Sequence, residues 1–273
     1  MLKQMLSRYK PMTAEQKQQA LREVMQEVAL AGLYRGGFFE EAAFYGGTCL
    51  RIFYDLPRYS EDLDFSLLQS KADFSLEPYF AAIKTEFEAL GIEVSISQKK
   101  KTASTVIESA FLKNDTQIVE LNLSGVSVKI KFEVDTHPPL GFDTEEKLLI
   151  EPFSFYAKCF RLPDLYAGKM HALLFRQWKN RVKGRDWFDF EWYVRRGAEL
   201  NLAHFNQRAI QSGDLLKPVD EKGFMEILRR RIETVDFENA KLDAERFLDD
   251  VSVLDIWSRD YFMQLVQRVK FKK

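Results

Sequence analysis

The feature that most constrains how this chain folds is a change of periodicity near residue 160. Between residues 63 and 151 apolar residues tend to alternate with polar ones, the period of a half-buried strand. After Pro163 they recur every three or four residues, the period of a helix. The spacing predicts strands over 63–67, 92–98, 104–111, 118–123, 127–135 and 147–151, with a helix over 76–90 that stops at Gly91. Ahead of them, Thr13 and Gln16 have the spacing of a capping box, and the helix they open runs to Gly36-Gly37. A short helix-like run over 38–44 and a helix over 48–54, stopped by Leu56-Pro57, complete this part. Past Pro163 no strand is expected; six helices are, over 164–178, 186–196, 202–211, 222–235, 240–248 and 254–269. The last carries Leu254, Trp257, Tyr261 and Leu265 as a core stripe. The pattern is α+β: a domain with one mixed sheet over 1–160, then an α-helical C-terminal domain over 161–273.

Composition removes several function classes. Forty Lys and Arg against 41 Asp and Glu leave a net charge of −1, which argues against coating nucleic acid by a bulk positive field. The placement of those charges therefore matters more than their sum. The longest run without a charged residue is nine residues, 42–50, and a membrane span needs about 20 apolar positions. The N-terminal residues lack the apolar stretch of a secretory signal, so the cytoplasm is the expected compartment, with no membrane partner. Cys49 and Cys159 are too few for a disulfide framework or a cysteine zinc site, and His137, His171 and His204 are too scattered to add ligands. Cys49 reads as a buried small residue, and His171 as a helix residue with a structural partner.

The chemistry-bearing residues begin at Gly46-Gly47. A glycine pair that opens a helix can present backbone N–H groups to a phosphate, helped by the helix dipole. Fifteen positions after Gly47 comes Asp62-Leu63-Asp64 at the start of a strand, where both carboxylates project to one side. Paired carboxylates hold hard divalent cations such as Mg²⁺ through oxygen. A third from a neighbouring strand would complete the set, and Glu133 and Asp135, which share one face of their own strand, are the candidates. A bare D-x-D is more often a solvent-facing strand end; the glycine pair ahead of it shifts that balance.

In the helical part, Lys169 and Arg176 are seven residues apart, on one helical face about 10 Å from each other. Arg176, Lys179, Arg181, Lys183 and Arg185 then place five cations in ten residues around Trp178. Such a run is either a solvated basic face or a surface for phosphates, with Trp178 able to stack on a base. Asp186 and Asp189 follow at i and i+3, pointing one way among Trp187, Phe188 and Phe190.

Three of these blocks together resemble a known family. Gly46-Gly47-Thr48-x-Leu50-Arg51, continuing through Leu56-Pro57-Arg58-x-Ser60-x-Asp62-Leu63-Asp64-Phe65, resembles the first motif of the AbiEii/AbiGii nucleotidyltransferase toxins. These belong to the DNA polymerase β-like nucleotidyltransferase superfamily. Ile130-Lys131-Phe132-Glu133 is similar to the second motif, and Lys183-Gly184-Arg185-Asp186-Trp187-x-Asp189 to the later ones. The resemblance implies a polymerase β-like nucleotidyltransferase domain followed by a helical domain that closes the nucleotide cleft. It implies that Gly46, Gly47, Thr48 and Arg51 bind the triphosphate of an NTP, and that Asp62 and Asp64 bind two Mg²⁺ ions. It makes Glu133 the preferred third carboxylate, with Asp135 as competitor. Lys169 would contact triphosphate, and Asp186 or Asp189 would shape the nucleotide site; the family's D-x-D is D-x-x-D here, which leaves the choice open. The implied reaction is attack of a hydroxyl on the α-phosphorus with loss of pyrophosphate. The basic run favours an RNA acceptor such as tRNA, and the family implies a cognate antitoxin encoded in the adjacent gene. A small-molecule acceptor, as in aminoglycoside-modifying relatives, and a nucleotide-binding module without turnover are the alternatives.

Overall fold

The computed structural model describes residues 1–10, 13–98, 116–123, 128–176 and 182–273. The strand expected over 104–111, the lysine run at 99–101, Trp178, Lys179 and Arg181 lie outside the described residues. The chain forms two compact units. The first comprises Met1–Asp55, Tyr59–Pro138 and Thr144–Cys159; the second comprises Leu56–Arg58, Pro139–Asp143 and Phe160–Lys273.

The first unit begins with α1 (Leu2–Ser7) and α2 (Ala14–Arg35). Both hydrogen bonds of the Thr13–Gln16 capping box form. Every residue of α2 from Val24 to Leu33 is buried, so this helix is covered all round rather than on one stripe. Next come β1 (Ala42–Tyr45), α3 (Gly46–Tyr54), β2 (Asp62–Leu67) and α4 (Phe80–Glu88). Strands β3 (Val94–Gln98), β4 (Thr116–Leu123), β5 (Lys129–Asp135), β6 (Thr144–Leu149) and β7 (Phe155–Phe160) complete one seven-stranded sheet in the order β3-β4-β5-β2-β1-β7-β6. It is mixed: β2 pairs in parallel with β5 and β1 with β7, whereas β1–β2, β3–β4 and β4–β5 are antiparallel. The mixed α+β reading therefore holds.

Alternation along the central strands builds the core. Leu63, Phe65, Ile130, Phe132 and Val134 are at most 1% exposed, and the Phe65 and Phe132 rings stack at 6.2 Å. Each such burial contributes roughly 1.5–3 kcal/mol relative to exposure. The intervening residues of β2 and β5, which carry the charges, take the opposite face.

Four expectations for this unit shift. Residues 38–44 are not helical: a 3₁₀ turn at Phe38–Glu40 leads into β1. As a central strand, β1 buries Ala42, Ala43 and Phe44 in succession, so alternation is lost. Helix α3 starts two residues earlier than expected, at Gly46, and ends at Tyr54 as expected, with Asp55 as a left-handed C-cap (φ 62°) just before Leu56-Pro57. The strand expected over 147–151 is β6, displaced towards the N-terminus. No strand is expected where β7 forms, although Phe155, Ala157 and Cys159 are buried in alternation with Tyr156 and Lys158.

The second unit holds α5 (Leu162–Phe175), α6 (Gly184–Arg196), β8 (Glu199–Leu200), α7 (Leu202–Gln211), α8 (Glu221–Thr234), α9 (Phe237–Glu245), α10 (Arg259–Val266) and β9 (Lys270–Phe271). Asn201, Asp220, Asp236 and Ser258 each cap a helix with a side-chain acceptor. Strands β8 and β9 pair in parallel, so the expectation of no strand past Pro163 fails by two short segments. The helix expected over 254–269 breaks into a 3₁₀ turn at Val251–Leu254, α10 and β9, because Ser258 starts a new helix. Leu254, Trp257 and Leu265 are nevertheless core residues, and Trp187, Phe237 and Phe262 form the aromatic centre.

Candidate active site

Strand β2 is held at its start by three successive main-chain carbonyls. The buried Gln26 amide on α2 donates to the carbonyls of Ser60 (3.2 Å) and Glu61 (2.9 Å). Thr48 on α3, fully buried, donates its hydroxyl to the Asp62 carbonyl. The Thr48 hydroxyl thus helps to position the D-x-D strand.

Gly46 begins α3 with φ 85°, a conformation few other residues adopt. A Cβ there would lie 2.2 Å from Asp64 Oδ2 and 2.9 Å from Asp64 Cβ. Glycine is therefore required both by its backbone and by the closeness of the carboxylate. Tyr45, the N-cap, offers no side-chain hydrogen bond to the first turn of α3, and that turn carries no acidic residue. The N-terminus of α3 keeps its dipole beside Asp64.

The β2–β5 register aligns Asp62 with Lys131, Asp64 with Glu133 and Ser66 with Asp135. Partners in register share a face, so Asp62, Asp64, Lys131 and Glu133 form one charged patch. Glu133 is the carboxylate beside Asp64. Asp135 lies one pair further along, where its Oδ1 accepts the His137 N–H at 3.1 Å and closes the strand. Across β4, Glu120 is in register with Lys131. Lys131 Nζ is ion-paired and hydrogen-bonded to Glu133 Oε1. Partial burial would lower the lysine's pKa, but Glu133, then Asp62 and Asp64, raise it above the ordinary value.

The three carboxylates offer the all-oxygen donor set that suits Mg²⁺. Among the described residues no three metal-ligating side chains are drawn together as a metal group. Glu133 is turned instead to Lys131. The donors fit the ion by chemistry and register, and a lysine stands among them. Arg51, expected at triphosphate, is engaged elsewhere: its Nε donates to Glu23 Oε2 at 2.8 Å, and its guanidinium lies 4.7 Å from the Tyr59 ring centre.

In the second unit the central charge is Asp189. It is fully buried and accepts two hydrogen bonds from Arg58, Nε to Oδ1 at 2.6 Å and the second nitrogen to Oδ2 at 2.7 Å. Lys169 Nζ reaches the same Oδ2 at 2.8 Å. Burial by itself would raise the Asp189 pKa; Arg58 and then Lys169 hold it below the usual carboxylate range. Asp189 thus anchors two cations, and Asp186, one turn earlier and half-buried, is the member of the pair left near the surface.

Gly184 opens α6 where α9 comes very close: a Cβ would meet the Ala240 carbonyl at 1.8 Å, and the Gly184 N–H donates to buried Asp243 at 3.0 Å. Of the basic run, Arg176 caps α5 in an extended conformation, so it does not continue the Lys169 face. Lys183 is the N-cap of α6, and Arg185 stacks 4.0 Å from the Phe247 ring centre. The described cations of this run do not share one helical face, because the helix ends at Phe175.

A family model described as nucleotidyl transferase AbiEii toxin, type IV toxin–antitoxin system, matches residues 28–268. The chain belongs to this family. It is a nucleotidyltransferase, and AbiEii membership implies a nucleotide substrate and an antitoxin partner. The fold is similar to that of JHP933 from Helicobacter pylori, with a TM-score of 0.55 at 16% identity over 92% of this chain and 90% of that one. It is also similar to MenT4, a nucleotidyltransferase toxin from Mycobacterium tuberculosis, with a TM-score of 0.54 at 13% identity over 98% and 87% of the two chains. No curated protein matches the chain. Among the described residues of this AbiEii chain, no helix is long and apolar enough to cross a membrane.

Sequence reasoning missed Gln26, Lys131 and Arg58. Lys131 and Arg58 stand inside the stretches that resemble the family's motifs. Gln26 carried one usable signal, a polar residue within the apolar run of α2.

Proposed function

We propose that this AbiEii-family enzyme transfers the nucleotidyl group of an NTP to an RNA acceptor, tRNA, in a Mg²⁺-dependent reaction. The observation that supports the reading most is the β2–β5 register, which sets Glu133 beside Asp64 where Gly46 closes on that same carboxylate. Two Mg²⁺ ions held by Asp62, Asp64 and Glu133 would stabilise the attacking and leaving oxygens together. The Gly46 and Gly47 N–H groups, at the start of α3, bind phosphate oxygens. The acceptor hydroxyl oxygen bonds to the α-phosphorus, the bond from that phosphorus to the bridging oxygen breaks, and pyrophosphate leaves with the electron pair. The hydroxyl proton passes to the Glu133 carboxylate. By the resemblance to the family's later motifs, Lys169, held by Asp189, is the triphosphate lysine and Asp186 the nucleotide-binding acid of the pair. Arg176 and Lys183, with Lys179 and Arg181 between them in sequence, contact RNA phosphates. The enzyme acts in the cytoplasm, and its antitoxin is encoded in the adjacent gene.

The test is incubation of the purified chain with each α-labelled NTP, Mg²⁺ and total RNA. Label is expected on RNA of tRNA size, and is expected to be lost with Asp62→Ala plus Asp64→Ala and with chelator. Equal labelling by wild type and the double variant overturns the mechanism. Label on an aminoglycoside and none on RNA overturns the acceptor.

A further inference from the structure

The carboxylate patch contains a cation of its own. Lys131 lies in register between Asp62 on β2 and Glu120 on β4, and its ammonium is bonded to Glu133, two positions along the same strand face. Carboxylates on neighbouring strands are about 5 Å apart and repel one another when nothing stands between them. The Lys131 side chain is 34% exposed and that of Glu133 26%. An ammonium on a flexible four-carbon stem that reaches solvent can leave its partner without breaking the sheet. Arg58, by contrast, is 3% exposed and held by two parallel hydrogen bonds, and has no such freedom.

We infer that Lys131 is an exchangeable internal counter-cation: it offsets one charge of the patch formed by Asp62, Asp64 and Glu133, and a divalent cation must displace its ammonium from Glu133 to bind. The inference rests on the proposed metal-dependent reading and adds a regulator to that site. Lys131 acts through Glu133 and is a positioning residue. Its displacement frees a carboxylate for the ion and releases a cation towards solvent, so the site trades one positive group for another. The affinity for metal then reports a competition and not the carboxylates alone.

The experiment is calorimetric titration of the nucleotide-free full chain with Mn²⁺, with the thermal midpoint measured in parallel without and with metal. Lys131→Met is expected to bind Mn²⁺ at least tenfold more tightly than wild type, which corresponds to about 1.4 kcal/mol. Its metal-free midpoint is expected to fall, and Mn²⁺ to restore it by more than it raises the wild type. Asp62→Asn plus Asp64→Asn is expected to abolish the binding isotherm, which ties the signal to this patch. Unchanged or weaker Mn²⁺ binding by Lys131→Met overturns the inference while leaving the metal-dependent reading intact. No binding by wild type or variant overturns that reading and the inference with it. Should Lys131→Met fail to fold, Lys131→Arg carries the test with the opposite sign. A guanidinium that grips Glu133 with two hydrogen bonds is harder to displace, so Mn²⁺ affinity must drop below wild type; an affinity equal to or above wild type overturns the inference.

Discussion

The two units each centre a cluster of acids and cations, and the clusters are built in opposite ways. On the β2–β5 face, Asp62, Asp64 and Glu133 are half-buried, and the cation bonded to Glu133 is a partly exposed lysine. In the helical unit, Asp189 is fully buried and takes two hydrogen bonds from a buried arginine and a third polar contact from Lys169. The first arrangement keeps its acids partly exposed and pairs Glu133 with a cation that also reaches solvent. The second consumes both carboxylate oxygens in the fold. Removing two charges from water costs several kcal/mol per ion, which only close geometry offsets, so a buried pair becomes costly to break once it has formed. An aspartate's place in a motif therefore does not by itself decide whether it serves chemistry or architecture; its exposure and the rigidity of its cation do.

Breaking the buried cluster should have the largest effect on stability. Asp189→Asn leaves Arg58 buried without its countercharge, and a loss of about 3–5 kcal/mol is expected in urea unfolding. A loss below about 1 kcal/mol would show that Asp189 is not the structural node its geometry describes. The same ion pair sets an acid limit. Because Arg58 and Lys169 depress the Asp189 pKa, its contribution is complete above the unfolded carboxylate value and disappears as pH falls through the folded one.

The next effect in size is also a pH dependence of the helical unit. Burial, followed by the charge of Arg208, lowers the His204 pKa from 6.5 to about 3. The unfolded histidine takes up its proton near 6.5 and the folded one only near 3, so stability falls as pH drops through that interval. His204→Phe, in a pocket already lined by the rings of Phe142 and Phe160, is expected to reduce the slope of the urea midpoint against pH between 6.5 and 3, with buried His171, whose pKa is likewise lowered to about 3, supplying part of the remainder. An unchanged slope would remove His204 from the account.

The smallest effect is expected on the sheet face. Asp62→Asn plus Asp64→Asn should change unfolding free energy by no more than about 0.5 kcal/mol, since it removes like charges from a partly solvated patch. The same double change is expected to abolish transfer. A large stability loss would erase the contrast between the clusters and make the D-x-D pair architectural as well.

Local features were legible in the sequence. The Thr13–Gln16 capping box, the helix over 202–211 and the alternation of β2 and β5 depend on residues a few positions apart, and they form as read. Central strand β1 carries no strand period in the sequence because burial on both faces erases it. The final helix starts later than its apolar stripe suggests because a serine cap at Ser258 competes with the stripe that crosses it. In the candidate site, the residue types were legible and the assignments partly not. Thr48 and Arg51 sit in the motif yet turn to the Asp62 carbonyl and to Glu23. Asp189 meets a partner 131 positions away in sequence.

By itself the sequence determined that Asp62 and Asp64 share one side of a strand, that Glu133 and Asp135 share one side of another, and that a glycine pair opens a helix ahead of them. Those facts follow from the two-residue pleat and from backbone freedom, both properties of near neighbours. Only the tertiary structure decided that Glu133 and not Asp135 stands beside Asp64, that Lys131 faces Asp62, and that Asp189 is sealed around Arg58. A period of two says which residues share a face but not which strand lies alongside or in what register. Burial of a helical aspartate depends on a cation brought from elsewhere in the chain.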